Sequence, residues 1–555
     1  MAGRAEVTLL LQDSTLVIEG MAGVAREILI LRDSPPDGFL DGPACRRLAV
    51  VDFDPATGVP LPPPVTFQSP RPGAVTGRYR AQGDETSASS LAINAFGIAF
   101  KTIAMFERDS GLGRPVQWAF PGEQLLVVPR AGEWANACYD RRTRSLQFFW
   151  FAADDQAIYT ALSRDIVSHE CGHALLDAVV PSLYDSMGGE SIAIHEAIAD
   201  LVAVLTAIDS DDLRVRVLAL VGNDLSGDNA FNSIAEEFGR ARRTADMPDR
   251  RALRALHNTV RLQDVSRTDP HRLSTVLSGI LYDTLSQTYD SVRERVAATE
   301  PELSAAAVAN KALGVAGRLT QRLIIQGVDL LPPGELGFAD VGRAILAADR
   351  AAQPDDGDQL SAHRQAFAER FVSRGIIDSA ADLDRPAPAT LSVSMAEVAM
   401  LLASDWAAYR YVDKHREELG IPPEANFRVL PRLDAVKQIG RRDPATKRWQ
   451  TQRQLILKVS WDVVEANRSP LLGRLAHSRR ITTGATVALR WSDGQAVALV
   501  RGEASGAAGQ ESREAMLARL AELTSASLGP MFRVMDDVLE VAGTHALLHL
   551  AGGEG

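Results

Sequence analysis

The sequence contains only three cysteines, Cys45, Cys138 and Cys171, in 555 residues. Three widely spaced cysteines cannot form the even, closely spaced set that is typical of a disulfide-stabilised protein. An excess of basic residues is also missing, since 59 lysines and arginines stand against 71 aspartates and glutamates and the net charge is −12. Because nucleic-acid binding depends on concentrated basic surface, we do not expect a nucleic acid as the main partner.

Long apolar stretches are absent from the sequence as well. The apolar run near the start, at residues 7–11, is too short for the core of a secretory signal peptide. No later apolar stretch is expected to reach the length that a membrane span needs. We therefore expect a cytoplasmic protein without membrane contact, and export by a route without a cleaved signal is also compatible with the sequence.

The most informative stretch is the pattern His-Glu-x-x-His at residues 169–173. Residues four apart on a helix lie on the same face, so His169 and His173 can bind one zinc ion. Glu170, beside them, can act as a general base towards a zinc-bound water. The proline-free stretch 157–179 has apolar residues near helical spacing and is predicted to be one helix. Because the pattern is short and also occurs without metal, its weight depends on the rest of the site.

A catalytic zinc ion needs a third protein ligand and an open position for water. One known source is a histidine six residues beyond the second, but that position is Val179. A glutamate from a second helix is another source, and residues 188–200 offer Glu196. Since Glu196 and Asp200 are one helical turn apart, Glu196 can complete the zinc ligands while Asp200 accepts the free ring N–H of a ligand histidine.

These residues resemble the thermolysin-like neutral zinc metallopeptidases, which belong to the gluzincins. The resemblance rests on His-Glu-x-x-His-x-x-x-Asp at 169–177, followed by Glu-Ala-Ile-x-Asp at 196–200, and it extends over about 87–376. It implies an α+β fold with a two-lobed zincin catalytic domain, in which a mixed N-terminal lobe with a sheet faces a mostly helical C-terminal lobe. It also implies zinc-dependent cleavage of peptide bonds.

The resemblance implies roles for residues outside the zinc motifs. Asn136 and Ala137 look like the start of the family's edge strand, which holds the substrate backbone. Arg254 looks like the arginine that contacts substrate carbonyl groups. Tyr184 and His271 are similar to the two residues that hydrogen-bond the oxyanion during catalysis.

The sequence departs from the family at its paired calcium site. One of the family's calcium carboxylates would fall at Ala207, whereas Asp165 keeps another, so we expect no calcium at that site. Cys171, between the two histidines, is predicted to be a small buried packing residue. Gly172 is predicted to permit close helix packing, because glycine inside a helix costs about 1 kcal/mol relative to alanine.

We divide the chain into regions by composition and pattern. The first is a β-rich N-terminal region with a proline-rich connector (1–80). The metallopeptidase domain follows (81–380), with its N-terminal lobe to about 156 and its helical lobe at 157–376. A linker (381–390) then leads to an additional C-terminal α+β domain (391–555). Within the last of these we predict one helix over 395–415 and a hairpin turn at Asp493-Gly494. His545 and His549 are four apart, but no glutamate follows the first, so we assign them no metal.

Two hypotheses about function remain at this point. The first is an intracellular zinc endopeptidase that acts on peptides or proteins. It is either restrained by its own N-terminal or C-terminal region or acts on a single partner protein, and the C-terminal domain could bind a specific protein partner. The second is a catalytically silent zincin-like scaffold whose C-terminal domain carries the interaction. The sequence favours the first, because Glu170 and all three proposed zinc ligands are present.

Overall fold

In the computed structural model, the described residues are 3–11, 26–32, 38–54, 56–153, 156–227, 229–234, 254–353, 358–442, 449–474, 476–503, 506–524 and 532–541. They form an α+β fold, in which sheets and helices occupy largely separate parts of the chain. This confirms the predicted fold class at that level. His545 and His549 lie outside the described residues.

The N-terminal part of the fold contains two small sheets on one long helix, α1 (Ala88–Glu107). The first sheet has the order β2-β1-β4, with β1 Arg4–Leu10, β2 Arg26–Arg32 and β4 Gly77–Arg78. The second has the order β3-β5-β7-β6, with β3 Leu48–Val50, β5 Leu125–Val128, β6 Ala137–Asp140 and β7 Ser145–Phe148. Strand β6 is therefore an edge strand, and β8 (Trp150–Ala153) pairs with β9 (Gln156–Tyr159) beyond it.

The middle of the chain is mostly helical. Its helices are α2 Arg164–Val179, α3 Gly189–Ile208, α4 Asp211–Leu220, α5 Pro270–Thr299, α6 Ala305–Val328, α7 Phe338–Ala352 and α8 Asp358–Ser373. Two short strands, β10 Ser233–Ile234 and β11 Arg254–Ala255, pair beside them. Several helices begin at a short polar residue that accepts a first-turn N–H, namely Ser163, Ser210, Asp269 and Ser304.

The prediction of one helix over 157–179 was wrong for its first residues. Helix α2 starts at Arg164, because the Ser163 side chain accepts the N–H of Ile166 and caps it. Before that, the chain forms β9 and one 3-10 turn at Thr160–Leu162. Of the apolar residues upstream of Ser163, Ile158 therefore belongs to strand pairing and Leu162 to the turn. A short apolar stretch does not distinguish these structures from a helix.

The C-terminal part of the fold is a seven-stranded sheet with helices. Its strands are β12 Phe427–Val429, β13 Leu433–Arg442, β14 Trp449–Ala466, β15 Ser478–Arg490, β16 Ala496–Arg501, β17 Phe532–Met535 and β18 Val538–Val541. Its helices are α9 Met395–Ala403, α10 Asp405–Lys414, α11 Arg416–Leu419, α12 Pro470–Gly473 and α13 Ala507–Thr524. The predicted single helix over 395–415 is broken at Ser404, which caps α10. The predicted turn at Gly494 is present, and this glycine has φ +70°.

One hydrophobic core runs through all three parts of the fold. It contains Leu9 of β1, Ile198 of α3 and Ile456 of β14, all almost fully buried. A second core lies between the other face of the C-terminal sheet and α9–α11. The sheets at either end of the described chain therefore complete the core of the helical part.

Two helices, α1 and α3, are long and apolar enough to cross a membrane, and inspection of the sequence missed both. In these helices 83% and 100% of the most apolar window is buried inside the protein. The apolar residues of α1 and α3 are thus used in the core.

A buried polar cluster fixes the N-terminal strands to the start of α2. Glu27 of β2 accepts from Arg164 at 3.0 Å and from Lys101 at 3.1 Å. Arg164 also donates to the carbonyl of Leu10 at 3.0 Å. Burial acts to raise the pKa of Glu27, but the two neighbouring cations hold it below its ordinary value. The first residue of α2 is therefore bound to the N-terminal sheet.

A second buried cluster joins the C-terminal sheet to the helical part. Asp329, which follows α6, accepts from Arg114 at 2.6 Å and from Lys437 of β13. Lys458 of β14 lies beside them and donates to the carbonyl of Val179, the last residue of α2, at 3.4 Å. Burial is the main cause that lowers the pKa of Lys458. Asp329 acts to raise this pKa, the positive charges of Arg114 and Lys437 act to lower it, and the net value is about 8.

Candidate metal centre

Helices α2 and α3 lie side by side at very short range, because residue 172 is glycine. A Cβ atom at Gly172 would be 2.9 Å from the Cα of Ala199, and 3.3 Å from the Cβ atoms of Ala199 and Val202. This confirms the predicted close packing at Gly172. The close approach brings the side chains of α3 up to the histidines of α2.

Replacing Gly172 by alanine is expected to lower the free energy of unfolding. The added methyl group meets backbone that cannot yield, and this overpacking alone costs about 1–3 kcal/mol. This loss should outweigh the gain of about 1 kcal/mol from better helix propensity. Urea unfolding followed by circular dichroism measures the change. Gly473→Ala is the matched control, because nothing lies within 4 Å of a Cβ there. A Gly172→Ala protein at least as stable as wild type would contradict the close packing.

The start of α3 is held in place by a carboxylate from a distant segment. Gly188 precedes the helix and has no side chain to cap it. Instead, the buried Glu335 accepts the backbone N–H of Gly188 at 3.0 Å and the hydroxyl of Ser191 at 2.9 Å. The N–H of Glu335 in turn donates to Thr482 of β15 at 2.9 Å. The C-terminal sheet thus positions the helix that carries Glu196.

Three side chains of α2 and α3 converge on one point. The Nε2 atoms of His169 and His173 are 2.9 Å apart, and each is 3.6 Å from an oxygen of Glu196. Ligand atoms about 2.0–2.1 Å from a tetrahedral zinc ion would be about 3.3 Å from one another. The observed separations lie on either side of that value, and all three residues are buried. Two imidazoles and one carboxylate are also a donor set of catalytic zinc sites.

Glu170 belongs to the same buried group. Ligand atoms of His169, Glu170 and His173 lie within 4.8 Å of one another, so this group by itself could hold a metal ion. However, Glu170 Oε2 accepts the backbone N–H of Tyr139 at 2.9 Å. Each oxygen of Glu196, by contrast, faces the Nε2 atom of one histidine. This difference is the one expected if Glu196 is a third ligand and Glu170 is a base.

The other ring nitrogen of each ligand histidine also has a partner. His169 Nδ1 is 3.0 Å from Asp200 Oδ1, so the predicted contact of Asp200 with a ligand histidine is present. His173 Nδ1 is 3.0 Å from Nδ1 of His195, which is fully buried. The carboxylate of Asp200 favours the tautomer of His169 in which Nε2 carries no proton and can bind a metal. The contact with His195 favours the same tautomer of His173 when His195 Nδ1 is the acceptor. The sequence analysis gave His195 no role, although its place directly before Glu196 was a usable signal.

His271 contacts Glu196, and Tyr184 lies beside His195. His271 Nδ1 is 3.0 Å from Glu196 Oε2, and its side chain is 41% exposed. The buried Tyr184 accepts the N–H of Arg141 at 3.4 Å, and its ring centroid is 6.2 Å from that of His195. Burial raises the pKa of the Tyr184 phenol, so the hydroxyl keeps its proton and can donate it in a hydrogen bond. The structure therefore places His271 in contact with Glu196, whereas Tyr184 reaches the group through His195.

The predicted substrate-binding residues are placed in part. Ala137 begins the edge strand β6, and its N–H donates to the side chain of Asn136 at 2.9 Å. Arg254 lies in the β10–β11 pair, but its side chain lies outside the described residues. Cys171 is fully buried with its sulfur 3.7 Å from the carbonyl of Ala99, which confirms its packing role.

Comparisons with known proteins add no assignment. A scan against protein-family models finds no match, and a search of curated proteins finds none either. The candidate metal centre therefore depends on its residues and their geometry.

Proposed function

We propose that the protein is a zinc-dependent endopeptidase with a thermolysin-like catalytic domain. The observation that carries this proposal is the convergence of His169, His173 and Glu196, with Glu170 beside them and held by the edge strand. The mixed N-terminal part, with an edge strand next to a mostly helical part, supports the same assignment.

Zinc held by these three residues would supply a water of lowered pKa and would polarise the scissile carbonyl group. Glu170 takes the proton of the attacking water and returns it to the leaving amine. The Tyr139 N–H keeps the Glu170 carboxylate in place for both transfers. Asp200 and His195 keep the Nε2 atoms of the two histidines directed at the metal position.

The substrate binds as an extra strand along β6, because an edge strand offers backbone groups to an extended peptide. Asn136 and Ala137 hold the peptide backbone, and Arg254 contacts its carbonyl groups. Tyr184 and His271 donate hydrogen bonds to the oxyanion. Donors of this kind are typically worth about 3 kcal/mol of the barrier each.

The proposal is tested by cleavage of a peptide mixture, with new termini identified by mass spectrometry. Wild type, Glu170→Gln and Glu424→Gln are compared with and without a zinc chelator. Glu424 is exposed in the C-terminal part and serves as the matched control. We expect cuts by wild type and Glu424→Gln that disappear in Glu170→Gln and in the presence of the chelator.

Cuts that persist in Glu170→Gln would overturn the proposed mechanism. A wild type that binds one zinc ion but cuts nothing would favour the silent scaffold instead. In that case the C-terminal part would be the place to look for a specific protein partner.

A further inference from the structure

We propose that Arg141 is a positioning residue, which holds the edge strand β6 against α2 and so directs the Tyr139 N–H to Glu170. The inference rests on the proposed function, since it concerns the orientation of the proposed base. Arg141 directly follows β6 and its side chain is 19% exposed.

The guanidinium of Arg141 binds the C-terminal end of α2. It forms a two-pronged contact with the fully buried Asp177, donating from Nε to Oδ2 at 2.9 Å and from Nη2 to Oδ1. Planar bidentate pairs of this kind fix both distance and orientation. The hydroxyl of Tyr139 donates to the same Asp177 Oδ2 at 2.7 Å. The side chains of Tyr139 and Arg141, two residues apart in this strand segment, therefore bind the same carboxylate.

The same guanidinium reaches the 3-10 turn that follows α2. It donates to Asp185 Oδ2 at 2.8 Å and to the carbonyl of Pro181 at 2.5 Å. Its Cζ atom lies 4.2 Å from the ring centroid of Tyr184, a cation–π contact. Arg141 thus connects the strand, the end of α2 and Tyr184.

Glu170 and Asp177 are seven residues apart, so they lie on one face of α2, two turns and about 10 Å from each other. Strand β6 contacts α2 at both places, through the backbone N–H of Tyr139 at Glu170 and through side chains at Asp177. Fixing the Asp177 end therefore fixes where the Tyr139 N–H points. Because a displacement of about 1 Å can cost 10²-fold in rate, the contact at Asp177 bears on catalysis.

The test compares Arg141→Met, Arg141→Lys and Arg142→Met with wild type. Arg142 is the adjacent arginine. Its side chain is 68% exposed and its Nε atom is 3.4 Å from Asp140, so Arg142→Met controls for the loss of one positive charge. Three quantities are measured: kcat on a peptide found to be cut, zinc content, and hydrogen–deuterium exchange in peptides covering residues 136–142.

In Arg141→Met we expect kcat to fall about 10- to 100-fold, amide exchange across β6 to become at least tenfold faster, and zinc content to stay at the wild-type value. Arg141→Lys should recover little, because an ammonium cannot make the two-pronged contact. Arg142→Met should stay within twofold of wild type in all three quantities.

The inference is overturned if kcat or amide exchange in Arg141→Met matches Arg142→Met, or if zinc is lost together with activity. A wild type that cleaves nothing overturns the proposed function instead. The amide exchange across β6 then decides by itself whether Arg141 holds the strand.

Discussion

Replacing Glu196 by alanine is expected to lower zinc affinity by more than 100-fold. Glu170→Gln should instead leave zinc affinity within a few-fold of wild type and lower kcat by about 10²- to 10⁴-fold. The difference follows from geometry. Each Glu196 oxygen faces a histidine Nε2 atom at 3.6 Å, while one oxygen of Glu170 is bound to the N–H of Tyr139. Competition with a chromogenic chelator measures the affinity, and peptide cleavage measures kcat.

Asp200→Asn and His195→Ala are the graded controls for this experiment. Both residues touch the Nδ1 atom of a ligand histidine, so each change should weaken zinc binding by only about 10- to 100-fold. If Glu170→Gln lost zinc as completely as Glu196→Ala, Glu170 would be a ligand and the assigned roles would be wrong.

Replacing Lys458 by methionine is expected to stabilise the protein by about 3 kcal/mol at pH 7. The pKa of this lysine falls from 10.5 to about 8 on folding because burial disfavours its charge. Below pH 8 the lysine is protonated in both the folded and the unfolded chain, and the folded protein bears the whole cost of burying the charge. The difference between the two pKa values corresponds to about 3 kcal/mol.

The sign of the pH dependence follows from the same two values. Between pH 8 and 10.5 the unfolded chain binds this proton more tightly than the folded protein, so the cost in wild type disappears as the pH rises. The advantage of Lys458→Met should therefore shrink to below about 1 kcal/mol at pH 10. Urea unfolding of both proteins at pH 7 and pH 10 measures it.

Lys437→Met provides a control with the opposite sign. Lys437 lies on the neighbouring strand, and burial lowers its pKa as well. Unlike Lys458, however, it donates directly to the buried Asp329, so its removal takes one bonded cation from that carboxylate and should lower stability. If Lys458→Met lost as much stability at pH 7 as Lys437→Met, the neighbouring groups would stabilise the buried charge of Lys458 more than its lowered pKa indicates.

The parts of the fold that local signals control were predictable. The apolar residues near helical spacing after Ser87 predict a helix over about 87–106, and the structure has it at Ala88–Glu107. Breaks inside apolar stretches were missed. At Ser163 and Ser404, a single side-chain cap ends one element and begins the next, and the hydrophobic pattern continues across both positions.

The candidate site divides in the same way. The positions of His169, His173, Glu196 and Asp200 depend on spacing within two helices, and the sequence was enough to bring them together. The contact of Tyr139 with Glu170, and that of Arg141 with Asp177, join residues more than 30 positions apart. Such contacts depend on how β6 packs against α2, and no local pattern records that packing.

The hydrophobic core that includes Leu9, Ile198 and Ile456 has a consequence for how the protein unfolds. The terminal sheets complete the interior of the helical part. Glu335 and Lys458 also connect the C-terminal sheet to α3 and α2. The described parts should therefore melt in a single cooperative transition. Intermediates with an intact metal centre and a detached C-terminal sheet would then be sparsely populated. Mutations far from the zinc position, in either terminal sheet, would reduce activity by lowering the amount of folded protein.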